Sequence, residues 1–298
     1  MTEAEALAFL CELRDTAKNE NIVLSSERFD RHTLGAWRTF DEWWRARRCF
    51  VSRLFEALRG FDVRVCVFIR PQDEYLLSGY KGRCTRPGPV APMQVRYRNA
   101  YQADYHKSLS IWADTFGIDR VCVQKYFSGQ RGTKGLQAIV DGLGLAHSVS
   151  LDATSLNRHV SPPDLATAEL LRVVGALPVD RSTIQITKRF VMQRAQGAAF
   201  RDHAASCFDR ATFRVPYTED PAESNARIQE TFFAGEEGLL FGREIRLQEE
   251  KLLPIDFPAL SALILDSLAA AGFEGQAREL SRSFDMQNMI VEAFKEDS

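Results

Sequence analysis

An almost unbroken apolar run extends from Val63 to Ile69 and is interrupted only by Arg64. β-branched and aromatic residues fill it, which is typical of a strand buried on both faces. The run stops at Arg70, and Pro71 follows at a position that suits the first turn of a helix. Two acidic residues come next, where negative charge favours a helix N-terminus. The pattern therefore predicts a strand, a tight turn and a helix, with a cation where the strand ends.

Two further short apolar runs predict strands, one over residues 22–24 and one over residues 120–127. Apolar residues at helical spacing predict helices over residues 3–18, 33–59, 98–116, 136–143, 162–177, 183–205, 256–271 and 277–295. We expect a single domain over residues 1–298 with an α/β fold of three layers. Its short, mostly parallel sheet belongs to residues 1–145, and residues 146–298 form a mainly helical half.

The composition is that of an ordinary globular protein, with 298 residues, 45% of them hydrophobic and 26% charged. A net charge of −2 argues against nucleic acid or an anionic membrane surface as the main partner. No apolar run reaches transmembrane length, and the acidic N-terminus lacks the core of a signal peptide. We expect a cytoplasmic protein.

Six cysteines are spread along the chain without a Cys-x-x-Cys pair. We expect all six to be reduced, since this spacing gives no disulfide framework. No group of His, Cys and Asp has the spacing of metal ligands, so the sequence implies no metal.

The end of the 63–69 strand is a candidate anion site. In open parallel α/β sheets, ligands bind at the carboxyl ends of the strands. An arginine there, beside a helix N-terminus, suits a phosphate. The plain alternative is an ordinary strand-to-helix turn, with Arg70 on the surface and Ser78 exposed on the helix.

The stretch from Arg70 to Tyr80 resembles the 3′-phosphate-binding motif of sulfotransferases that use phosphoadenosine phosphosulfate (PAPS). That motif is roughly Arg-x-Pro-x-Asp-x-x-x-Ser-x-Tyr, and this chain lacks its second residue because Arg70 directly precedes Pro71. Bacterial members often show Arg-x-Gln-Asp-x-Tyr-x-x-Ser-x-Tyr, and the residues that match this form are Gln72, Asp73, Tyr75, Ser78 and Tyr80. The resemblance implies a P-loop sulfotransferase-like fold in which Arg70 and Ser78 hold the 3′-phosphate of PAPS.

A second polar cluster, Ser25-Ser26-Glu27, follows the strand predicted over residues 22–24. Bacterial sulfotransferase-like proteins often carry Ser-Ser-Glu-x-Phe at this place. The resemblance makes Glu27 the candidate general base, provided that burial raises its pKa toward neutrality. Alternatively, Ser25 or Ser26 caps the next helix and Glu27 lies in its first turn. The two interpretations are compatible.

The strand predicted over residues 120–127 ends at Tyr126 and Phe127. Relatives carry a Tyr-Glu pair at this strand end, with the tyrosine near the adenine. The resemblance therefore assigns Tyr126 to nucleotide binding, whereas Phe127 departs from the pattern.

The family's loop for the 5′-phosphosulfate, of the Lys-x-Gly-Thr-Thr type, has no match before Glu27. Three explanations compete for the missing loop. The reading frame starts too late, the gene is a degenerate remnant, or the protein has a nucleotide site that does no sulfuryl transfer. Loss of the strand before that loop exposes sheet edges, which a homodimer could pair.

The resemblance implies a sulfotransferase that transfers a sulfuryl group from PAPS to a carbohydrate or small-metabolite acceptor. The alternative is a catalytically inactive or truncated homologue that binds a nucleotide or a partner protein.

Overall fold

A computed structural model of the chain describes residues 8–9, 12, 15–16, 39–92, 103–126, 137, 140–141, 161–214, 220–245, 248–254, 256–283 and 286–294. The strand predicted over residues 22–24 and the candidate base Glu27 lie outside these ranges. The helices of more than one turn are α1 Phe40–Ala57, α2 Gln72–Cys84, α3 Tyr105–Phe116, α4 Leu165–Gly175, α5 Arg181–Arg194, α6 Ala198–Ser206, α7 Pro221–Phe232, α8 Phe257–Ala270, α9 Glu274–Ser283 and α10 Met286–Phe294. The strands are β1 Val65–Ile69, β2 Val121–Lys125, β3 Phe208–Arg214 and β4 Gln248–Pro254.

These elements form two compact units, and each unit draws on both halves of the sequence. The first unit comprises Met1–Arg70, Tyr101–Leu156 and Glu219–Glu244, and the second comprises Pro71–Ala100, Asn157–Thr218 and Ile245–Ser298. The single domain expected from the sequence stays a prediction.

The first unit contains the parallel pair β1–β2, in which Val65 lies opposite Val121 and Ile69 opposite Lys125. Helix α3 packs on both strands, and α1 and α7 pack on α3. Along β2 the residues alternate, with Val121 and Val123 buried and Cys122 half-buried. This period of two places alternate side chains on opposite faces of the sheet.

The prediction that β1 is buried on both faces is wrong within the described part of the chain. Only Ile69 is buried, and the other four residues of the strand are half-buried. A run of apolar residues indicates a strand, but it does not show how many layers cover that strand.

The second unit is organised around α4, whose residues from Ala166 to Gly175 are all buried. Asp164 starts this helix because its carboxylate accepts a hydrogen bond of 2.7 Å from the backbone N–H of Thr167. Helices α2, α5 and α6 and strand β4 all pack on α4. The helix is therefore covered on every side, which fits its largely apolar sequence.

The antiparallel pair β3–β4 of the second unit was not predicted from the sequence. Both strands carry several charged residues and few β-branched ones, so they lack the usual strand signal. The segment predicted as one helix over residues 183–205 is two helices, because Gly197 adopts an extended ψ of 137° and caps α6. The segment predicted over residues 277–295 also forms two helices, α9 and α10.

The protein is mostly helical and has a small parallel sheet of two strands, a layout that fits the coarse α/β prediction. The strand, turn and helix predicted around Arg70 are confirmed as β1 and α2. Pro71 is the N-cap of α2, with a ψ of 132°, and does not lie in the first turn as predicted. Within the ranges given above, no helix is both long enough and apolar enough to cross a membrane.

Candidate functional site

The carboxyl ends of β1 and β2 lie side by side in the first unit. The ladder continues one residue past the strands, because the N–H of Tyr126 donates a hydrogen bond of 2.7 Å to the carbonyl oxygen of Ile69. Arg70 and Tyr126 therefore leave the two strands together. The parallel register brings these two residues, which are far apart in sequence, to the same edge.

The guanidinium of Arg70 lies over the ring of Tyr126, with its central carbon 5.1 Å from the ring centroid. Both residues are half-buried. Within the described part of the chain, this cation–π contact is the interaction that Arg70 makes, and no carboxylate pairs with it. A guanidinium presents five N–H donors in a planar fork, so Arg70 can still bind an anion with two oxygens.

Lys125 is the second cation at this edge, and its charge is already compensated. Its ammonium lies 2.5 Å from a carboxylate oxygen of Glu236 and 4.2 Å from the ring centroid of Phe233. The side chain is 16% exposed. Lys125 was not predicted as a site residue, although a cation at the end of a strand was the signal that indicated Arg70. Only the structure shows that Glu236 takes up the charge of Lys125.

Ser78 lies on α2, in the second unit, and is exposed. Its role in phosphate binding stays a prediction. The last residue of the matching motif, Tyr80, has a different environment because it is completely buried. Its hydroxyl donates a hydrogen bond to the carboxylate of Glu169. In this chain the motif tyrosine therefore contributes to the interior of the second unit.

Glu169 belongs to a buried polar cluster, which we define as Tyr80, Glu169 and Arg172. The Arg172 Nε lies 2.7 Å from the Glu169 carboxylate, and its guanidinium is 4.1 Å from the ring centroid of Phe294. Arg172 also donates a hydrogen bond to the backbone carbonyl of Ala293. Burial, and then the charge of Glu169, raise the pKa of Tyr80 well above its ordinary value. The cluster links α2, α4 and α10, and its pairing accounts for the buried charges without a ligand.

Lys188 is a further buried cation of the second unit. Its ammonium donates hydrogen bonds to the carbonyl oxygens of Cys84 at 2.8 Å and of Arg86 at 2.7 Å. Cys84 is the last residue of α2, so Lys188 satisfies a helix C-terminus. Burial lowers the pKa of Lys188 to about 8. A lowered pKa is often a functional signal, but these contacts give this lysine a structural role.

The structure therefore brings Arg70 and Tyr126 together, places Ser78 in the second unit and does not describe Glu27. Among the described residues, no group of three or more His, Cys, Asp or Glu side chains could hold a metal ion. In comparisons with protein families, curated proteins and solved structures, no family model, protein or structure matched the chain.

Proposed function

We propose that this protein binds PAPS, with Arg70 as its principal phosphate ligand, and transfers the sulfuryl group to a carbohydrate or small-metabolite acceptor. The proposal includes the finer fold expectation, a three-layer P-loop sulfotransferase-like architecture. It combines the resemblance of residues 70–80 to the family motif with the surroundings of Arg70.

The observation that carries the proposal is Arg70, a half-buried arginine at the carboxyl edge of a parallel strand pair with which no carboxylate of the described residues pairs. Partial burial removes water from the guanidinium, and an uncompensated charge there costs free energy. A phosphate restores two charge-assisted hydrogen bonds, each of which contributes about 1.5–3 kcal/mol. The ring of Tyr126 limits the orientations of the guanidinium, so its fork is held ready for a ligand.

The chemical step follows from the resemblance. Glu27 takes the proton of an acceptor hydroxyl or amine as that group bonds to the sulfur of PAPS. The phosphosulfate S–O bond breaks, and 3′-phosphoadenosine 5′-phosphate leaves. Ser78 and Tyr126 contribute to nucleotide binding, through the 3′-phosphate and near the adenine. That the protein forms a homodimer remains a prediction.

The first experiment is calorimetric titration of 3′-phosphoadenosine 5′-phosphate into the wild type and an Arg70→Ala variant. We expect micromolar binding by the wild type. The variant loses two charge-assisted hydrogen bonds and should bind at least about 100-fold more weakly. Arg48→Ala is the matched control, because Arg48 is an exposed arginine of the first unit that pairs with Asp114 at 3.2 Å. This control should bind as the wild type does.

Two results would contradict nucleotide binding at Arg70. One is the absence of binding by wild-type protein whose circular dichroism shows it to be folded. The other is an equal loss of affinity in the Arg48→Ala control, which would indicate a general charge effect.

A transfer assay with radiolabelled PAPS then separates the two candidate functions. Transfer of the label to a carbohydrate or metabolite acceptor supports sulfotransferase activity. Loss of this transfer in a Glu27→Gln variant supports Glu27 as the base. Binding without transfer to any acceptor tested favours the catalytically inactive homologue.

A further inference from the structure

Two cysteines face each other at the amino ends of the parallel pair, far along the strands from Arg70. Cys66 on β1 is the register partner of Cys122 on β2. Residues that are directly paired in a parallel ladder project from the same face of the sheet. Neighbouring strands lie about 4.8 Å apart, which falls within the range of Cα separations of about 4.4–6.8 Å that a disulfide can span.

Both cysteines are free thiols, and both are half-buried. The side-chain amide of Gln124 donates a hydrogen bond of 3.4 Å to the sulfur of Cys122. Gln124 is two residues farther along β2 and so lies on the same face as Cys122.

Both cysteines line a cavity of about 360 Å³ in the first unit. The lining also includes Thr231 and Phe232, at the end of α7. Arg64, Arg120 and Asp119 also line the cavity, and Arg120 pairs with Asp62 at 2.9 Å. The cavity therefore gives a small molecule access to the thiols. Among the described residues no carboxylate pairs with Arg64, so this arginine can attract a molecule with negative charge.

We propose that Cys66 and Cys122 are a reversible thiol–disulfide pair, which an anionic low-molecular-weight disulfide oxidises through this cavity. Burial and the neighbouring Cys122 raise the pKa of Cys66 to about 12. Cys66 is therefore a weak nucleophile near neutral pH, and we assign the first attack to Cys122.

The exchange proceeds in two steps. The Cys122 thiolate attacks one sulfur of the small disulfide, forms a mixed disulfide and releases one small thiolate. The charge of Cys122 then no longer opposes ionisation of Cys66, whose thiolate attacks the Cys122 sulfur and releases the second small thiol. The protein loses two thiol protons and two electrons, and the small disulfide becomes two small thiols.

The test uses the wild-type chain and oxidised glutathione as the probe. After incubation and alkylation of the remaining thiols, a tryptic digest is analysed by mass spectrometry without reduction. We expect the peptide Val121–Lys125 linked by a disulfide to the peptide that contains Cys66. Dithiothreitol should remove this link and restore both free thiols.

Cys49 is the internal control, because it is an exposed thiol of the same unit. It should acquire a single glutathionyl group, which shows that the probe is active. The proposal is overturned if Cys49 reacts while Cys66 and Cys122 stay unmodified. It is also overturned if both cysteines of the pair carry glutathionyl groups and no link joins them.

Two single variants test the order of attack. Cys66→Ser should accumulate glutathionyl at Cys122, because the first step proceeds and the second cannot. Cys122→Ser should leave Cys66 largely unmodified near neutral pH. Fast glutathionylation of Cys66 in the second variant would contradict the assigned order.

Discussion

At the scale of single residues, Glu169 carries the carboxylate of the buried polar cluster in the second unit. Its carboxylate accepts from the buried hydroxyl of Tyr80 and pairs with the buried guanidinium of Arg172. A buried ion pair contributes little net stability, since desolvation offsets the attraction. The removal of one partner is costly, however, because the other charge remains buried and uncompensated.

We expect Glu169→Gln to lower the free energy of unfolding by about 3 kcal/mol or more. Glutamine retains the size and one acceptor of the side chain, so the effect isolates the charge. The measurement is urea denaturation followed by circular dichroism. Glu223→Gln is the control, because Glu223 forms an exposed pair with Arg227. Its effect should stay below about 0.5 kcal/mol, and equal losses in both variants would contradict the special role of Glu169.

At the scale of elements, two helical glycines of the second unit occupy contrasting environments. A Cβ on Gly175, at the end of α4, would lie 2.6 Å from the backbone oxygen of Gly88 and 2.6 Å from the ammonium of Lys188. A Cβ on Gly275, in α9, would meet no atom within 4 Å. The absence of a side chain at Gly175 therefore permits close contact with another segment of the chain.

We expect Gly175→Ala to destabilise the protein by about 1–3 kcal/mol, because a backbone carbonyl must shift to make room. Gly275→Ala should instead stabilise it by up to about 1 kcal/mol through helix propensity. Thermal unfolding of the two variants beside the wild type measures both effects. If Gly175→Ala is as stable as Gly275→Ala, the close approach at α4 is wrong.

At the scale of the whole molecule, several buried groups make the free energy of unfolding change with pH in the alkaline range. Burial, and then the charge of Glu169, raise the pKa of Cys84 from 9.0 to about 12. As the pH rises, this thiol ionises in the unfolded chain before it ionises in the folded protein. Its contribution to the free energy of unfolding is therefore lost between pH 9 and 12. The raised pKa of Tyr80 acts in the same direction. Lys188 acts in the opposite direction, since its pKa falls from 10.5 to about 8 on folding.

We expect the free energy of unfolding to decrease as pH rises from 9 toward 12. Between pH 8 and 10.5 the unfolded chain binds more protons at Lys188 than the folded protein does, so this residue increases stability with pH. Lys188→Met removes that increase. Between pH 8 and 10.5 the free energy of unfolding of this variant should therefore fall by about 3 kcal/mol more than that of the wild type. Denaturation at a series of pH values measures the difference.

The control for this series is Arg189→Met, which removes the exposed cation next to Lys188. Its curve should run parallel to that of the wild type. If the Lys188→Met curve also runs parallel to the wild type, Lys188 does not titrate in this range.

Some of the candidate site could be predicted from the local sequence. The apolar run before Arg70 and the turn and acidic residues after it predicted β1 and α2, because strand and helix-start signals depend on neighbouring residues. The charged strand β3 gave no such signal, since its pairing with β4 comes from a distant segment. The role of Glu27 as general base stays a prediction.

By itself, the sequence determined the pattern of polar and apolar residues in each segment, and this pattern located most helices and the parallel strands. The reason is that local periodicity sets which face of an element can be buried. Only the tertiary structure decided which side chains meet. It paired Lys125 with Glu236 but left Arg70 against Tyr126, and it set Cys66 opposite Cys122. The physical reason is that charge compensation and thiol contact depend on register and packing between distant segments, which local periodicity does not specify.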